Sequence, residues 1–342
     1  MSHISQNPTW KAGLSVAALA LALALSVGSQ AFAQDAPKFA LSLGWSEGES
    51  GQHLINGFKD NVAKIGGTLT IADAAYDPKR QSDQIDAFIK AKPSALFVTA
   101  SDPAAIAPAV KRAVDAGIPV FAADSLIPGV SVMTTAMSNN YGMGVYMLDY
   151  IAAQLHGKGK IAVIDLPANE TWDLRADGMY WELQQYPDIK VVGKWSYNST
   201  GAATPRQGAD GLITANPDID AMWAAWDGAS IAGALAARAA GKDNVFTVGI
   251  DGGRQVFNAM MAPGSASGST PSGVALSMAQ SFYTMAATDV FYANEVLHGN
   301  KAPRIVITPV YAVTQDMLKG KPIPDNYDVP GVAEKLGWKR AL

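Results

Sequence analysis

Short apolar runs alternate with longer amphipathic segments along most of the chain. A first series contains the runs KFALSLG, TLTIADA, SALFVTA and IPVFAAD, and a second series, beginning near Ser138, contains KIAVIDL, DIKVVGKW, IDAMWAAW, NVFTVGID and GVALSMA. Between the runs, apolar residues recur with a helical period, as Ile106, Val110 and Ala113 do after the third run. Runs too short for helices that alternate with amphipathic helices predict βα units with parallel strands. Two such series predict an α/β fold with two doubly wound, Rossmann-like lobes.

The N-terminal segment has the three parts of an export signal. Lys11 precedes the apolar stretch AGLSVAALALALALSVG, and the following SQAFAQ has small residues at Ala31 and Ala33. This order predicts a secretory signal peptide over residues 1–33, cleaved after Ala33. A membrane anchor is disfavoured because the apolar stretch is shorter than a comfortable span and ends in a cleavage signal. No cysteine follows the stretch, so we expect no lipid anchor and an exported protein in the periplasm.

Composition narrows the classes of function further. The chain has 342 residues and 0 cysteines, which excludes disulfides, thiolate metal sites and a cysteine nucleophile. About 300 residues remain without the leader, too many for one small core, so two lobes are the natural expectation. The formal net charge is −4 without a basic patch, which argues against nucleic acid or an anionic membrane as partner.

The sequence lacks motifs for cofactor, metal or nucleophilic chemistry. No Walker loop or Gly-x-Gly-x-x-Gly follows a strand, and GKGK at 157–160 lacks a Ser or Thr and precedes its strand. The histidines after the leader, His53, His156 and His298, are too scattered for a spaced metal motif. We therefore expect no cofactor, no metal, no catalytic residue and no enzyme activity. Because two carboxylates suffice for a glycosidase, a secreted carbohydrate-active enzyme stays as an alternative.

Polar and aromatic residues gather where the predicted strands end. In open parallel sheets, ligands bind beyond the carboxyl ends of the strands, so residues there form the candidate site. The candidates are Trp45, Glu47, Ser50, Asp124, Ser125, Trp172, Arg175, Trp226, Asp227, Asp251 and Gln280. Tyr76 and Tyr197 lie at other strand ends and are weaker candidates, whereas Trp223 is expected in the core.

This set of side chains suits a polyhydroxylated ligand. Hydroxyl groups donate to carboxylates and accept from arginine or amide groups, and charge-assisted hydrogen bonds are the strong ones. The C–H face of a sugar lies against the negative face of an indole. In the run MWAAWDG, Trp226 would supply the flat wall and Asp227 the acceptor.

Several candidates also have purely structural interpretations. Three aspartates are favourable N-cap residues for the helices that follow them, namely Asp124, Asp227 and Asp251. Arg175 has Asp173 and Asp177 nearby as partners for a surface ion pair. Glu49 is interpreted as a solvated loop charge. From the sequence alone, the binding and structural roles of these aspartates and of Arg175 both stay open.

The motifs AGIPVFAADS, LRADGMYWEL, ANPDIDAMWAAWDGASIAGALAARAAGK, VFTVGIDGG and SMAQSFYTMAATD carry a family likeness over roughly residues 38–315. The chain resembles the periplasmic sugar-binding proteins of the ribose-binding type, the substrate-capturing components of ABC importers. The resemblance implies a type I periplasmic binding protein fold, in which a three-strand hinge joins two Rossmann-like lobes around the ligand. The N-terminal lobe would comprise residues 35–138 plus 280–303, and the C-terminal lobe residues 139–279 plus 304–342.

The resemblance also implies which residues contact ligand. Family contacts that are kept are an arginine, an aspartate and a glutamine, which fall on Arg175, Asp251 and Gln280. Family contacts that differ are an Asp-Arg pair, an Asn-Asp pair and stacking phenylalanines, replaced here by Asp124-Ser125, Trp226-Asp227 and Trp45. These departures disfavour ribose itself and keep the chemistry of polyol binding.

The implied function is capture of a small sugar, sugar alcohol or related polyhydroxylated metabolite and its delivery to an inner-membrane ABC permease. Asp124 would face Asp227, Asp251 and Arg175 across the cleft, so that only ligand bridges the lobes. A monomer is expected. Presentation of bound ligand to a chemoreceptor is an alternative that the sequence does not separate from transport. Pentoses, hexoses, tetritols and sugar acids all fit the residues.

Overall fold

The computed structural model describes residues 36–167, 170–198, 201–262, 272–321, 323 and 328–342. The predicted signal peptide and its cleavage after Ala33 lie outside the described residues. Across the described parts of the chain, no helix combines the length and the apolar character needed to cross a membrane.

Two six-stranded sheets form the framework of the fold. The first sheet contains β1 (Lys38–Leu43), β2 (Thr68–Asp73), β3 (Ala95–Thr99), β4 (Val120–Ala123), β5 (Thr134–Met137) and β11 (Ile305–Ile307). The second contains β6 (Lys158–Asp165), β7 (Asp188–Ser196), β8 (Ala221–Ala224), β9 (Phe246–Asp251), β10 (Gly273–Gln280) and β12 (Val310–Thr314). The strand orders are β11-β5-β4-β3-β1-β2 and β12-β10-β9-β8-β6-β7. Among the described residues, every strand pair is parallel except β10 with β12, which confirms the predicted fold class.

Helices connect the strands and pack on both faces of each sheet. They are α1 (Gly48–Lys64), α2 (Pro78–Ala91), α3 (Pro103–Asp115), α4 (Asn140–Gln154), α5 (Glu170–Leu183), α6 (Pro205–Ala215), α7 (Asp227–Ala239), α8 (Arg254–Met260), α9 (Phe282–Leu297), α10 (Gln315–Leu318) and α11 (Val329–Leu336). Helix starts follow local sequence rules, because the side chains of Asp77 and Asp102 cap α2 and α3 and a proline opens each helix. We call each sheet with its helices a lobe.

Each sheet lies between two hydrophobic cores, because alternate residues of a strand point to opposite faces. In β1, Phe39 and Leu41 pack with α1 and α9, whereas Ala40 packs with α2 and α3. In β8, Trp223 is fully buried against α4, as predicted, while Met222 packs with α6 and α7. Each lobe therefore has a hydrophobic core on both faces of its sheet, and the ends of the strands remain available to form a site.

The chain passes three times between the two sheets. The crossings lie between β5 and α4, between β10 and α9, and between β11 and β12. Hydrogen bonds hold the crossings side by side. The Thr308 backbone N donates to the Met137 carbonyl oxygen at 2.9 Å, and the Ser281 Oγ donates to the Pro309 carbonyl oxygen at 2.7 Å. The three-strand connection that the resemblance implies is therefore present.

Two late segments of the chain return to the first lobe. Helix α9 packs on α1, where Gly57 permits the close approach, since a Cβ there would come within 2.7 Å of the Tyr283 carbonyl oxygen. Strand β11 pairs with β5, although the lobe boundary expected from the sequence ends this return at residue 303. The sequence RIVITPVYAVT has no polar segment that would indicate a change from one sheet to the other. Only residues 308–309 separate β11 from β12. The first sheet therefore takes the chain to residue 307.

Candidate functional site

Polar side chains from both lobes converge on one buried group, which we call the polar cluster: Asp124, Arg175, Asp227, Asp251 and Gln280. Asp124 directly follows β4 of the first lobe, whereas the other four belong to β9, β10, α5 and α7 of the second lobe. The field of Asp124 acts on both Arg175 and Asp251, so the cluster extends across the two lobes. The structure thus brings together five of the candidate residues.

Arg175 is the cation of the polar cluster and is only 2% exposed. Its Nε donates to Asn140 Oδ1 at 2.9 Å, and its Nη1 donates to the Ala225 carbonyl oxygen at 2.8 Å. The guanidinium carbon lies 4.4 Å from the centroid of the Trp172 ring, which is the geometry of a cation–π contact. The alternative of a surface ion pair is wrong, because the guanidinium points inward.

Two glycines explain why Arg175 reaches the interior. A Cβ on Gly144 of α4 would lie 1.9 Å from the Arg175 carbonyl oxygen, and a Cβ on Gly178 of α5 would lie 2.1 Å from the Tyr141 carbonyl oxygen. The backbones of α4 and α5 therefore touch, which places Arg175 beside Asn140 at the start of α4. Neither glycine nor Asn140 was among the candidates, although Asn140 and Gly144 stand close to the predicted crossover after Ser138.

Asp251 ends β9 and is held on three sides. Gln280 Nε2 donates to its Oδ1 at 3.0 Å, the backbone N–H of Asp227 donates to its carboxylate, and Arg175 attracts it. Its φ of 142° is unusual for a residue with a side chain, and Gly252 follows with φ 80°. Burial raises the pKa of Asp251 to about 6, against the opposing effects of Arg175 and Gln280. The backbone conformation and the hydrogen bonds together fix one orientation for this carboxyl group.

Asp227 supports the turn that carries Asp251. Its carboxylate accepts from the Gly252 backbone N at 2.7 Å and from Ser277 Oγ at 2.9 Å to each oxygen. The side chain is 6% exposed, and burial together with the nearby Asp251 raises its pKa to about 8. The N-cap of α7 is Trp226, so the N-cap interpretation of Asp227 is wrong. Its oxygens bond the protein, which makes it a positioning residue in this arrangement.

Asp124 and Ser125 place the first lobe against the second. Asp124 has φ 75°, and its Oδ1 is shielded from solvent and has no hydrogen-bond partner among the described residues. Burial raises the pKa of Asp124, while Arg175 lowers it. Ser125 Oγ lies 2.9 Å from Thr171 Oγ1 at the start of α5, a buried contact between the lobes. Thr171 was not a candidate, because nothing in its sequence context distinguishes it from a helix-start residue.

Aromatic rings surround part of the polar cluster. The Trp226 ring centroid lies 6.0 Å from that of Trp172 and 5.4 Å from that of Tyr197. Trp172 lies under the guanidinium of Arg175, so one of its faces contacts protein instead of standing free. Trp45 is partly buried and meets Phe282 edge-on at 6.0 Å. Trp226 and Trp45 remain the candidates for a ligand wall, and Trp172 positions Arg175.

The remaining candidates lie at the start of α1. Glu47 is exposed and precedes the helix, where its side chain makes no capping hydrogen bond. Ser50 is partly buried in the first turn. Within the described residues, no hydrogen bond joins either side chain to the polar cluster. The structure therefore does not place Glu47 or Ser50 in the polar cluster.

Glu49 makes a direct contact between the lobes, which we call the Glu49–Arg254 latch. Its carboxylate accepts from the backbone N of Arg254 at the start of α8 and lies 3.6 Å from Arg254 Nε. The two side chains are 25% and 27% exposed. The interpretation of Glu49 as a solvated charge is therefore wrong. The expectation that only ligand bridges the lobes is also wrong, since this latch and the Ser125–Thr171 contact bridge them directly.

The arrangement offers buried hydrogen-bond acceptors, one guanidinium and aromatic faces. In the parts of the chain that the structure describes, no group of three or more His, Cys, Asp or Glu side chains is arranged to hold a metal ion. Carboxylate and amide groups that converge from two lobes suit the binding of a polar small molecule.

Among the proteins that align with this chain are two that are named for their ligands. The chain is 26% identical to the xylitol-binding protein of Mycolicibacterium smegmatis over an alignment of 203 residues. The alignment covers 59% of this chain and 58% of that protein. The chain is 25% identical to the ribose import binding protein of Bacillus subtilis over an alignment of 265 residues. This alignment covers 77% of this chain and 82% of that protein. The chain thus spans less than two thirds of the first relative and most of the second.

Solved structures share the fold. A 5-methylthioribose transporter solute binding protein from Thermotoga lettingae superposes with a TM-score of 0.77 at 19% identity, over 89% of this chain and 94% of that one. An Agrobacterium vitis ABC transporter solute binding protein with bound allitol superposes with a TM-score of 0.74 at 22% identity. The superposition covers 83% of this chain and 97% of that one. The periplasmic binding protein domain family matches residues 39–301. This chain therefore belongs to the periplasmic binding protein family, as its motifs predicted.

Proposed function

We propose that this protein captures a small sugar, sugar alcohol or related polyhydroxylated molecule between its two lobes and delivers it to an inner-membrane ABC permease. The free lobes rotate about the three crossings, and ligand favours the closed arrangement because it contacts both lobes. The protein acts after export and removal of residues 1–33, as a periplasmic monomer. It binds its ligand without converting it.

One observation carries this proposal: the polar cluster is buried, comes from both lobes and holds acceptors that the protein does not satisfy. Asp124 Oδ1 and Gln280 Oε1 are both shielded and have no hydrogen-bond partner among the described residues. Buried polar atoms in proteins are almost always hydrogen-bonded, so these two acceptors indicate where donors of a ligand belong. Hydroxyl groups supply such donors, and Trp226 supplies an apolar face for the carbon skeleton.

The relatives support the chemical class of ligand. One is named for xylitol and another for ribose import, and a structure with the same fold holds allitol. All three names denote polyhydroxylated molecules of five or six carbons. Import in the name of the ribose relative and ABC transporter in the name of the allitol-bound structure support delivery to a permease, and presentation to a chemoreceptor is the alternative use of the same closed complex.

A ligand screen followed by calorimetry tests the proposal. Mature protein beginning at Gln34 is screened by thermal shift against sugars, sugar alcohols and nucleosides, and hits are titrated by isothermal calorimetry. Asp251→Ala is expected to weaken binding more than about tenfold, since it removes a charge-assisted contact. The exposed Asp177→Asn on α5 is the matched control and leaves the Kd unchanged. A near-wild-type titration of Asp251→Ala refutes the site.

Two further measurements separate the alternatives. Arg175→Ala is expected to weaken binding more than about tenfold and also to lower the Tm, because it leaves buried carboxyl groups without their cation. Prolonged incubation with each hit, followed by product analysis, tests for turnover. Appearance of product would favour the secreted carbohydrate-active enzyme over a binding protein.

A further inference from the structure

The polar cluster contains more carboxyl groups than cations. Asp124, Asp227 and Asp251 share one buried region, and Arg175 is the cation whose field acts on all three. Among the described residues, no other Lys, Arg or His side chain contributes to the pKa of Asp124 or Asp251. A buried charge is stable only when it is paired and hydrogen-bonded, so the balance of charge at this site restricts what binds there.

The single cation is partly engaged by the protein. Arg175 donates through Nε to Asn140 and through Nη1 to the Ala225 carbonyl oxygen, and one face of its guanidinium lies on the Trp172 ring. These bonds use two of its five N–H groups, and a ligand that brings its own negative charge would compete with Asp124 and Asp251 for the same cation. Gln280 Nε2 already gives one of its two N–H groups to Asp251.

The solvent-shielded side-chain atoms of the cluster that lack a hydrogen-bond partner among the described residues are both acceptors. Asp227 is satisfied by Gly252 and Ser277, whereas Asp124 Oδ1 and Gln280 Oε1 have no partner within the described chain. Gln280 is 0% exposed, so bulk water does not reach its carbonyl oxygen. Two buried acceptors beside an excess of carboxylate call for a group that only donates and is positively charged.

We infer that the site selects a polyhydroxylated ligand that carries an amino group and discriminates against the corresponding sugar acid. This inference rests on the proposed function and narrows its substrate class. A protonated amine has three donors and no acceptor, so it satisfies the free oxygens and neutralises the excess carboxylate. Trp226, which is next to Asp227 in the chain, and Tyr197, whose ring centroid lies 5.4 Å from that of Trp226, offer aromatic faces to a bound cation.

The titration behaviour of the cluster agrees with the charge count. Burial raises the pKa of Asp251 to about 6 and that of Asp227 to about 8. Asp227 therefore holds its proton near neutral pH, and Arg175 is the one cation that faces the carboxyl groups of Asp124 and Asp251. An ammonium group would add a second positive charge beside these two carboxyl groups, a neutral sugar would add none, and a carboxylate ligand would add a further acid.

A matched series of ligands tests the inference. Each set has one carbon skeleton and differs at one position: 1-amino-1-deoxysorbitol, sorbitol and gluconate; 6-amino-6-deoxyglucose, glucose and glucuronate; and the three galactose counterparts of the second set. Titration of the mature wild-type protein at pH 7.5 is expected to give the order amine, neutral, acid in every set that binds. The amine is expected to bind about tenfold tighter than the neutral member, which corresponds to one charge-assisted hydrogen bond.

Variants connect the preference to the cluster. Asp124→Asn is expected to reduce the amine-to-neutral preference about tenfold while the Kd of the neutral member changes less. Asp177→Asn removes an exposed carboxylate of α5 and is expected to leave the preference unchanged.

Two outcomes overturn the inference, and they are distinguishable from failure of the proposed function. If a neutral or acidic member binds as tightly as its amine, or if Asp124→Asn keeps the full preference, the amino-group inference is wrong and polyol binding stands. If no member of any set binds and the wider sugar screen is also negative, the proposed function itself is wrong.

Discussion

Removing the Glu49 carboxylate is expected to favour the open protein and to weaken ligand binding. Glu49→Ala deletes the hydrogen bond from the Arg254 backbone N and the ion pair with its guanidinium, both of which join the two lobes. A hydrogen bond to a charged group contributes about 1.5–3 kcal/mol, and an exposed ion pair about 0.2–1 kcal/mol. Because the side chains are 25% and 27% exposed, we expect the latch to contribute about 1–2 kcal/mol. This shifts the closing equilibrium by about 5- to 30-fold.

The assay follows lobe closure and binding in the same protein. The chain has 0 cysteines, so Lys59→Cys on α1 and Gln185→Cys after α5 introduce one exposed labelling site in each lobe. Glu49→Ala is expected to lower the transfer efficiency between the dyes in the free protein and to raise the Kd by up to the same 5- to 30-fold factor. Ligand dissociation is expected to be faster. Glu49→Gln keeps an acceptor for the backbone N and is expected to give a smaller effect.

A surface pair within one lobe provides the control. Asp83→Asn removes the exposed ion pair between Lys79 and Asp83 in α2 and is expected to change neither the transfer efficiency nor the Kd. If Glu49→Ala binds within about twofold of wild type and its free-state transfer efficiency is unchanged, the latch does not stabilise closure. A circular dichroism melt of each variant establishes that the lobes remain folded.

Three further predictions concern buried groups. Asp289 of α9 is fully buried, both of its carboxylate oxygens lack a partner among the described residues, and burial raises its pKa well above the usual value. In calorimetry, Asp289→Leu is expected to raise the Tm by about 2–4 °C at pH 8. The shift is expected to be smaller at pH 4, where about half of the carboxyl groups are protonated in the unfolded chain too; equal shifts would contradict this. Burial raises the pKa of Asp251 to about 6 and of Asp227 to about 8, so their contribution to stability is complete near pH 4 and falls as the pH rises through these values. The Tm of ligand-free wild type should therefore fall relative to Asp227→Asn between pH 5 and 9, and a constant difference would refute the assignment. Trp172→Ala removes the ring under the guanidinium and should weaken binding about 5- to 30-fold by calorimetry, unlike the exposed Trp181→Ala on the same helix.

The two lobes could be predicted because local periodicity reports burial. Central parallel strands are covered on both faces, so they require continuous apolar runs such as ALFVT in β3, whose residues are all buried. The amphipathic segments between these runs bury one face each, which fixes them as helices. The candidate positions at strand ends followed from the same pattern, since carboxyl ends of parallel strands share one edge. The return of β11 was beyond this reasoning, because the apolar run that it shares with β12 contains no sign of a change of sheet.

The roles within the site depended on contacts between distant parts of the chain. Asp227 was a candidate for ligand binding because an acid follows an apolar run, yet its oxygens hold Gly252 and Ser277, the latter 50 residues away. Glu49 has no local feature that distinguishes it from a solvated acid, and its partner Arg254 is 205 residues away. A side chain's role in such cases depends on which atoms the fold brings within hydrogen-bond distance.

The sequence by itself determined the parallel sheets, the candidate strand ends and the family, because all three are encoded in short-range spacing of apolar and polar residues. Only the tertiary structure decided that Arg175 turns inward, since the contact of α4 with α5 depends on Gly144 meeting a carbonyl group on another helix. It also decided which carboxyl groups share one cation. Burial and charge balance are properties of the assembled lobes, and no segment of the chain contains them alone.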